Sequence, residues 1–174
     1  QVDASRFSVS GLLEEMLEGF LPAMELKGIC LRKEITAGIF LYADKKHVEQ
    51  LISILLDNAV KYTLSDAERP SAPQGHVLRD ALGYALPDAR IWICLQETEK
   101  RVRLRVQNTC ESLPQVSPEK LFDRFYRADE ARTQKSGGYG IGLSVAKSLV
   151  KANGGKIYAE YMQKSGEIAF VVEF

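Results

Sequence analysis

Segments with helical periodicity alternate with pairs of strand-like segments, and this order constrains the fold more than any other feature of the chain. Apolar residues recur at helical spacing in three stretches, which begin near Ser8 or Ser10, after Asp44, and at about residue 141. Two strand-like segments follow each stretch: ICLRKEIT and GIFLYAD, ARIWICLQE and RVRLRVQN, KIYAEYM and EIAFVVEF. This order predicts one sheet with helices on one of its faces.

The residues that bound these segments predict where the helices begin and end. Asp44 is a favourable N-cap for the second helix. Gly28 and the run Asn-Gly-Gly at 153–155 are typical of helix ends. Residues 1–7 precede the first helical stretch, and we expect them to form a frayed lead-in.

Two stretches of the chain show neither periodicity. Residues 64–90 are rich in Pro, Gly, Asp and Ser and predict a long connection or insertion, a length that is uncommon within a compact domain. Residues 108–140 are irregular, except for one helical turn that we expect around SPEKLFDRFYR.

Composition is that of one globular domain and excludes several function classes. The chain has 174 residues, with 23 basic and 23 acidic side chains, so it offers no overall positive charge for nucleic acid or an anionic membrane. No apolar run approaches the roughly 20 residues of a membrane helix. The three cysteines, which lack CxxC spacing, indicate free thiols rather than a zinc site.

The second helix carries two polar residues at the edge of its apolar face. On a helical wheel, Asn58 and Lys61 lie side by side next to Ile54, at the border of an arc of buried residues. A helix that covers a sheet would present such side chains at the mouth of a pocket. The alternative is that both are ordinary boundary residues, since polar residues usually flank an apolar stripe.

A glycine run, SGGYGIGLS, immediately precedes the third helix. It matches neither the P-loop pattern GxxxxGK[ST] nor the dinucleotide pattern GxGxxG after a strand. Gly138, Gly140 and Gly142 remain as a spaced set at a helix N-terminus, where free N–H groups and the helix dipole favour an anion. A flexible start to the helix is the alternative interpretation, and both stay open at this point.

Three blocks, LLDNAVKYT, LFDRFYR and SGGYGIGLS, together with YADKKHVEQ before them, resemble the ATP-binding catalytic domain of bacterial sensor histidine kinases. That domain belongs to a wider group with gyrase, the heat-shock chaperone ATPases and the mismatch-repair ATPases. The resemblance covers the chain from about residue 8 to Phe174. It implies a single domain over 1–174, an α/β (α+β) two-layer sandwich known as the Bergerat fold. Its mixed, mostly antiparallel sheet has about five strands, with about three helices on one face and a mobile ATP lid over 109–140.

The resemblance also implies a binding site for ATP and Mg²⁺. Asn58 would ligate Mg²⁺ through its side-chain oxygen, Lys61 would meet the phosphates, and Tyr62 would lie against the nucleotide. Arg124 or Arg127 would reach the terminal phosphate. The remaining residues implied to line the site or to anchor its lid are Asn108, Cys110, Leu113, Phe122, Phe125, Gly138, Gly140, Ile141, Gly142 and Leu143.

The sequence departs from the family pattern at the adenine-binding box, usually Asp-x-Gly-x-Gly. Here Asn108 takes the place of the Asp, and Cys110 and Ser112 take the places of the glycines. Asn can still accept a hydrogen bond, but without the strength that a carboxylate charge adds. We therefore expect weaker or less adenine-selective binding than the usual pattern gives.

The phosphate-accepting histidine of these kinases lies on a separate helical hairpin, in a Ser-His-Glu context. His47 and His76 stand in other contexts, so the resemblance implies a catalytic half without its acceptor. The implied partners are the acceptor domain of the same kinase and, indirectly, a response regulator. This fragment would be a monomeric, cytoplasmic part of a membrane-anchored, homodimeric kinase.

Two alternative functions remain. The altered box suggests a degenerate, non-catalytic module of a sensor protein. An ATP-hydrolysing member of the fold is disfavoured, because such enzymes carry a Glu where this chain has Ile54, and isoleucine cannot activate water.

Overall fold

The computed structural model describes residues 2–63, 89–110, 112–124 and 141–174. In chain order its elements are β1 (Ala4–Ser8), α1 (Val9–Leu26), β2 (Cys30–Ile35), β3 (Phe40–Asp44), α2 (Lys45–Tyr62), β4 (Arg90–Glu97), β5 (Val102–Thr109), a 3-10 turn (Pro118–Phe122), α3 (Gly142–Ala152), β6 (Lys156–Met162) and β7 (Glu167–Glu173).

Five strands form the main sheet, in the spatial order β2-β4-β5-β7-β6. Strands β2 and β4 are parallel, and the other three neighbouring pairs are antiparallel. The described residues also contain three α helices. The predicted α/β class, with a mixed and mostly antiparallel sheet of about five strands and about three helices, is therefore confirmed.

The first residues of the chain differ from the expectation. Residues 4–8 form β1, which pairs antiparallel with β3 from Ala4 opposite Asp44 to Ser8 opposite Phe40. The prediction of a frayed lead-in over 1–7 was therefore wrong, and the expected single sheet omitted this second, two-stranded one. The segment ASRFS has no strand periodicity of its own. It is ordered by pairing with a strand more than 30 residues away in sequence.

Helix boundaries follow the predicted signals closely. The side chain of Ser8 accepts a hydrogen bond from the Gly11 amide at the start of α1, and Asp44 caps α2 in the same way. Gly28, with a φ of 66°, follows the end of α1. Asn153 caps the C-terminus of α3, and Gly154 after it has a φ of 77°.

The core lies between the helices and one face of the main sheet. Alternate residues of β4 and β5 are buried there: Ile91, Ile93, Leu95, Val102, Leu104 and Val106. They belong to one cluster with the buried residues of α1 and α2, such as Leu13 and Leu55. On the opposite face, cross-strand ion pairs such as Arg105–Glu160 at 2.6 Å lie over the sheet. The helix-covered face is therefore the one on which a site can be enclosed.

Candidate nucleotide-binding site

The last two turns of α2 carry the first group of predicted site residues. Leu51, Leu55 and Ala59 are buried, whereas Asn58 and Lys61 are half-buried at the border of this stripe. The predicted position of the two polar residues on the helix is therefore confirmed. Tyr62 is 51% exposed, and the Nζ of Lys61 lies 6.0 Å from its ring centroid. This turn presents an amide, a cation and an aromatic ring together.

The start of α3 lies against the same part of α2. A Cβ built on Gly142 would lie 3.5 Å from Cγ2 of Ile54, which is one turn before Asn58. Ile141 is 40% exposed, and Leu143 is half-buried against the core. The fold thus brings the end of the glycine run next to the helix that carries Asn58, although 88 positions separate Ile54 from Gly142 in sequence.

Among the described residues, no side chain caps the N–H groups in the first turn of α3. Its N-cap residue is Ile141, which makes no side-chain capping hydrogen bond. The hydroxyl of Ser144 donates instead to the carbonyl of Ile141, at 2.8 Å. An uncapped helix start is electropositive and leaves donors for an anion.

Asn108 lies near the end of β5, on the same side of that strand as the buried residues Leu104 and Val106, and is 2% exposed. Its Nδ2 donates to the backbone carbonyl of Thr109, at 3.0 Å. Because an amide oxygen cannot donate to a carbonyl, this bond fixes which end of the amide faces Thr109. Among the described residues, none donates to its Oδ1, which is left to accept a hydrogen bond.

Cys110, the residue after β5, continues the contacts of the main sheet. Its amide and its thiol both contact the carbonyl of Gly166, at 3.0 and 3.4 Å. Burial, helped by the nearby carboxylate of Glu167, raises the pKa of the Cys110 thiol to about 11. The side chain is therefore a neutral, packed group at a position where the resemblance implies glycine.

The predicted helical turn after the adenine box is confirmed by the 3-10 turn. Phe122 is buried there, edge-on to Phe170 with ring centroids 6.1 Å apart, and Lys147 of α3 lies over its ring. Leu113 is half-buried against the core, and Arg124 is exposed. These contacts attach this turn to the sheet and to α3.

Several predicted residues lie outside the described part of the chain: Phe125, Arg127, Gly138, Gly140 and His76. The same holds for most of the predicted lid at 109–140 and for the connection at 64–90, of which only its last two residues are described.

A polar network that links α2 to α3 was not foreseen. The Asp44 amide donates to Oδ1 of Asn153 at 2.9 Å, and Nδ2 of Asn153 lies 3.2 Å from Nδ1 of His47. Asp44 in turn accepts from the Asp3 amide at 3.0 Å. Sequence patterns indicated Asp44 and Asn153 only as helix caps, and nothing in them indicates a contact across more than 100 residues.

The pKa of the Asp44 carboxyl lies below its ordinary value. The largest cause is the hydrogen bond from the Asp3 amide, and burial acts in the opposite direction. The amides of His47 and Lys46 and the His47 ring add to the lowering.

The described residues contain no cluster of three or more His, Cys, Asp or Glu side chains that could hold a metal ion. The half-buried amide of Asn58 nevertheless offers an oxygen of the kind that Mg²⁺ binds beside phosphates. No helix in the described part of the chain has the length and apolar character needed to cross a membrane.

Comparison with known proteins agrees with this geometry. Residues 43–174 match the model of the histidine kinase-, DNA gyrase B- and HSP90-like ATPase family. Because the match covers most of the chain and includes α2, β5 and α3, this chain belongs to that family.

Individual relatives are sensor kinases. The chain is 33% identical over 128 residues to the sensor histidine kinase WalK of Bacillus subtilis (strain 168), a match that covers 74% of this chain and 18% of WalK. The chain thus corresponds to less than a fifth of that relative.

Solved structures show the same fold. The catalytic domain of histidine kinase ThkA has a TM-score of 0.74 at 22% identity, covering 99% of this chain and 95% of that one. ThkA is also solved in complex with the response regulator TrrA. Full-length ShkA in complex with AMPPNP has a TM-score of 0.70 at 20% identity, covering 99% of this chain and 31% of ShkA.

Proposed function

We propose that this chain is the ATP-binding catalytic domain of a sensor histidine kinase. It binds Mg-ATP and transfers the γ-phosphoryl group to a histidine on an adjoining domain. The observation that carries the proposal is the position of Gly142 against Ile54, which joins the glycine run to the helix of Asn58. The similarity to WalK and to ShkA, which is solved with AMPPNP, supports the same class of activity.

The phosphates lie, in this proposal, between α2 and the start of α3. Asn58 holds Mg²⁺ through its Oδ1, and Lys61 faces the phosphates as a point charge. The uncapped N–H groups of α3 face the same anion, with Gly142 allowing the close approach of its backbone. Bound Mg²⁺ supplies charge neutralisation at the phosphate oxygens.

The base lies over the end of β5. Oδ1 of Asn108 accepts from the exocyclic amino group of adenine, because Nδ2 is held by the Thr109 carbonyl. Apolar contacts around the nucleotide come from Tyr62, Leu113, Ile141 and Leu143. Cys110 narrows the base site relative to a glycine, so the expectation of weaker binding is retained.

Transfer needs little more from the protein than placement of charge. A ring nitrogen of the acceptor histidine attacks the γ-phosphorus, the bond to the β–γ bridging oxygen breaks, and ADP leaves with the electron pair. Arg124 or Arg127 balances charge at the terminal phosphate. Ile54 cannot activate a water molecule, so transfer to the histidine is favoured over hydrolysis.

The acceptor histidine, on the dimerisation domain of the same homodimeric kinase, is the direct partner in this proposal. The phosphoryl group then passes to a response regulator, as the complex of ThkA with TrrA supports. We further propose that this chain is a monomeric, cytoplasmic domain of a membrane-anchored protein.

Label transfer in the longer protein tests this activity. With γ-labelled ATP and Mg²⁺, we expect acid-labile, base-stable label on the protein, as a phosphohistidine gives. Substitution of the acceptor histidine should remove the label, and Asn58→Ala should reduce it strongly. Nucleotide binding without label transfer would instead support the non-catalytic module, which the packed Cys110 favours. Rapid hydrolysis by the isolated chain would contradict the proposed role of Ile54.

A further inference from the structure

The C-terminal turn of α2 is held by a cation from a different helix. The Nζ of Lys27, at the end of α1, donates to the carbonyl of Val60 at 2.9 Å and lies 3.5 Å from the carbonyl of Lys61. The last carbonyls of a helix have no partner within it, and a cation there also interacts favourably with the helix dipole. Lys27 thus serves as a C-terminal cap for the turn that carries Asn58, Lys61 and Tyr62.

The backbone at Lys27 is itself fixed. The Ile29 amide donates to the Met24 carbonyl at 2.9 Å, and the Gly28 amide donates to the Glu25 carbonyl at 3.0 Å. These two bonds, with a positive φ at Gly28, form a Schellman motif. Ile29 and Met24 are both buried, as that motif prefers. The backbone from which the Lys27 side chain projects is therefore fixed.

Two further hydrogen bonds, both from Thr63, hold the same turn of α2. The amide and the hydroxyl of Thr63 both donate to the Ala59 carbonyl, at 3.0 and 2.7 Å. Thr63 is 1% exposed, so this end of the helix is enclosed. The carbonyls of residues 59, 60 and 61 then all have donors, and among the described residues Lys27 is the donor to two of these three.

We infer that Lys27 is a positioning residue for the nucleotide site, an inference that rests on the proposed function. By capping α2 it keeps Asn58 and Lys61 in the orientation that binds Mg²⁺ and phosphate, without touching either. Without this cap the last turn of α2 frays. The nucleotide must then order the turn when it binds, and the free-energy cost of that ordering weakens the measured affinity.

Three variants test the inference: Lys27→Met, Lys27→Arg and the control Lys33→Met. Lys33 also pairs with α1, through Glu14, but has no contact with the end of α2 among the described residues, and its loss changes the net charge equally. Affinity for AMPPNP is measured by calorimetry with Mg²⁺ and with EDTA, well below the melting temperature of each variant.

We expect Lys27→Met to weaken Mg-AMPPNP binding by roughly five- to tenfold, and to lower the ratio of the affinities with and without Mg²⁺. Lys27→Arg should restore binding to within about twofold, because a guanidinium can still donate to both carbonyls. Lys33→Met should also stay within about twofold. Hydrogen exchange at the amides of Tyr62 and Thr63 should become faster in Lys27→Met alone.

Two results would overturn the inference, and they distinguish failure of the Lys27 role from failure of the proposed function. If the wild type binds Mg-AMPPNP and Lys27→Met binds it equally well, Lys27 only stabilises the helix, even where exchange is faster. If the wild type itself does not bind nucleotide, the proposed function fails and the positioning role fails with it.

Discussion

At the scale of single residues, Asn108 is the side chain that we propose to contact the base. The family's carboxylate could accept on both of its oxygens, whereas the amide here has one end bound to the Thr109 carbonyl. An amide can present either its donor or its acceptor end, and this bond leaves the acceptor Oδ1 as the end available to a ligand. A 6-amino purine suits that acceptor, and a 6-oxo purine does not.

The substitution Asn108→Asp separates two roles of this side chain: its bond to the Thr109 carbonyl and its proposed bond to the base. We expect the free protein to lose about 1–3 kcal/mol of unfolding free energy, because a carboxylate oxygen then faces the Thr109 carbonyl in a buried site. Affinity for AMPPNP should rise, since the bond to the base becomes charge-assisted. Urea denaturation and calorimetric titration measure the two effects.

Asn108→Leu is the matched control, because leucine has a similar size and cannot accept a hydrogen bond. It should lower nucleotide affinity and abolish preference for adenine over hypoxanthine nucleotides. Equal affinity in Asn108→Asp, Asn108→Leu and the wild type would show that the base is not read at this position.

At the scale of elements, α2 and α3 are connected at both ends of their contact. Gly142 lies against Ile54 near the predicted phosphates, and Asn153 bonds to Asp44 at the other end. The bond from the Asp3 amide to Asp44 adds the residue just before β1 to the same network. The helix that follows the glycine run is therefore fixed relative to the helix of Asn58.

Asp44 makes this network sensitive to acid. Its pKa is lowered in the folded protein, so its contribution to stability is complete above the ordinary pKa of an aspartate and is lost as the pH falls through the lower, folded value. We expect the difference in unfolding free energy between the wild type and Asp44→Asn to shrink as the pH is lowered from about 6 to about 3. Denaturant titrations across that range would measure it, and a constant difference would contradict the account of Asp44.

Gly155 shows why the turn after α3 is restricted to glycine. A Cβ there would lie 2.6 Å from the backbone oxygen of Glu173 and 3.0 Å from Val150. We expect Gly155→Ala to cost about 1–3 kcal/mol of unfolding free energy, because a backbone atom must shift.

Gly19→Ala is the control for that substitution. Gly19 lies within α1 with nothing near its added Cβ, so alanine should stabilise the protein by about 0.5–1 kcal/mol. Equilibrium unfolding in urea compares the two variants, and a Gly155→Ala protein as stable as the wild type would be inconsistent with the close contact.

At the scale of the whole molecule, local patterns predicted most elements of the fold. Strong caps such as Asp44 and Gly28, and the alternation in β4 and β5, are properties of short segments and can be read from them. β1 could not be predicted in this way, since its order comes from pairing with β3. The same reason explains why the bonds of Lys27 and Asn153 were missed, as both join residues distant in sequence.

Only those features of the candidate site that depend on local sequence patterns could be predicted. The border position of Asn58 follows from helical periodicity, but the direction of the Asn108 amide depends on a backbone carbonyl that no pattern specifies. That Cys110 is packed against Gly166 likewise depends on the β6–β7 hairpin, which lies more than 50 residues further along the chain.

Titration of AMPPNP into the 174-residue chain, with and without Mg²⁺, tests the central claim most directly. We predict binding that Mg²⁺ strengthens, loss of the Mg²⁺-dependent part in Asn58→Ala, and no change in Gln50→Ala, which removes an exposed amide from the same helix. Absence of binding at millimolar nucleotide, or an unchanged effect of Mg²⁺ in Asn58→Ala, would contradict the account.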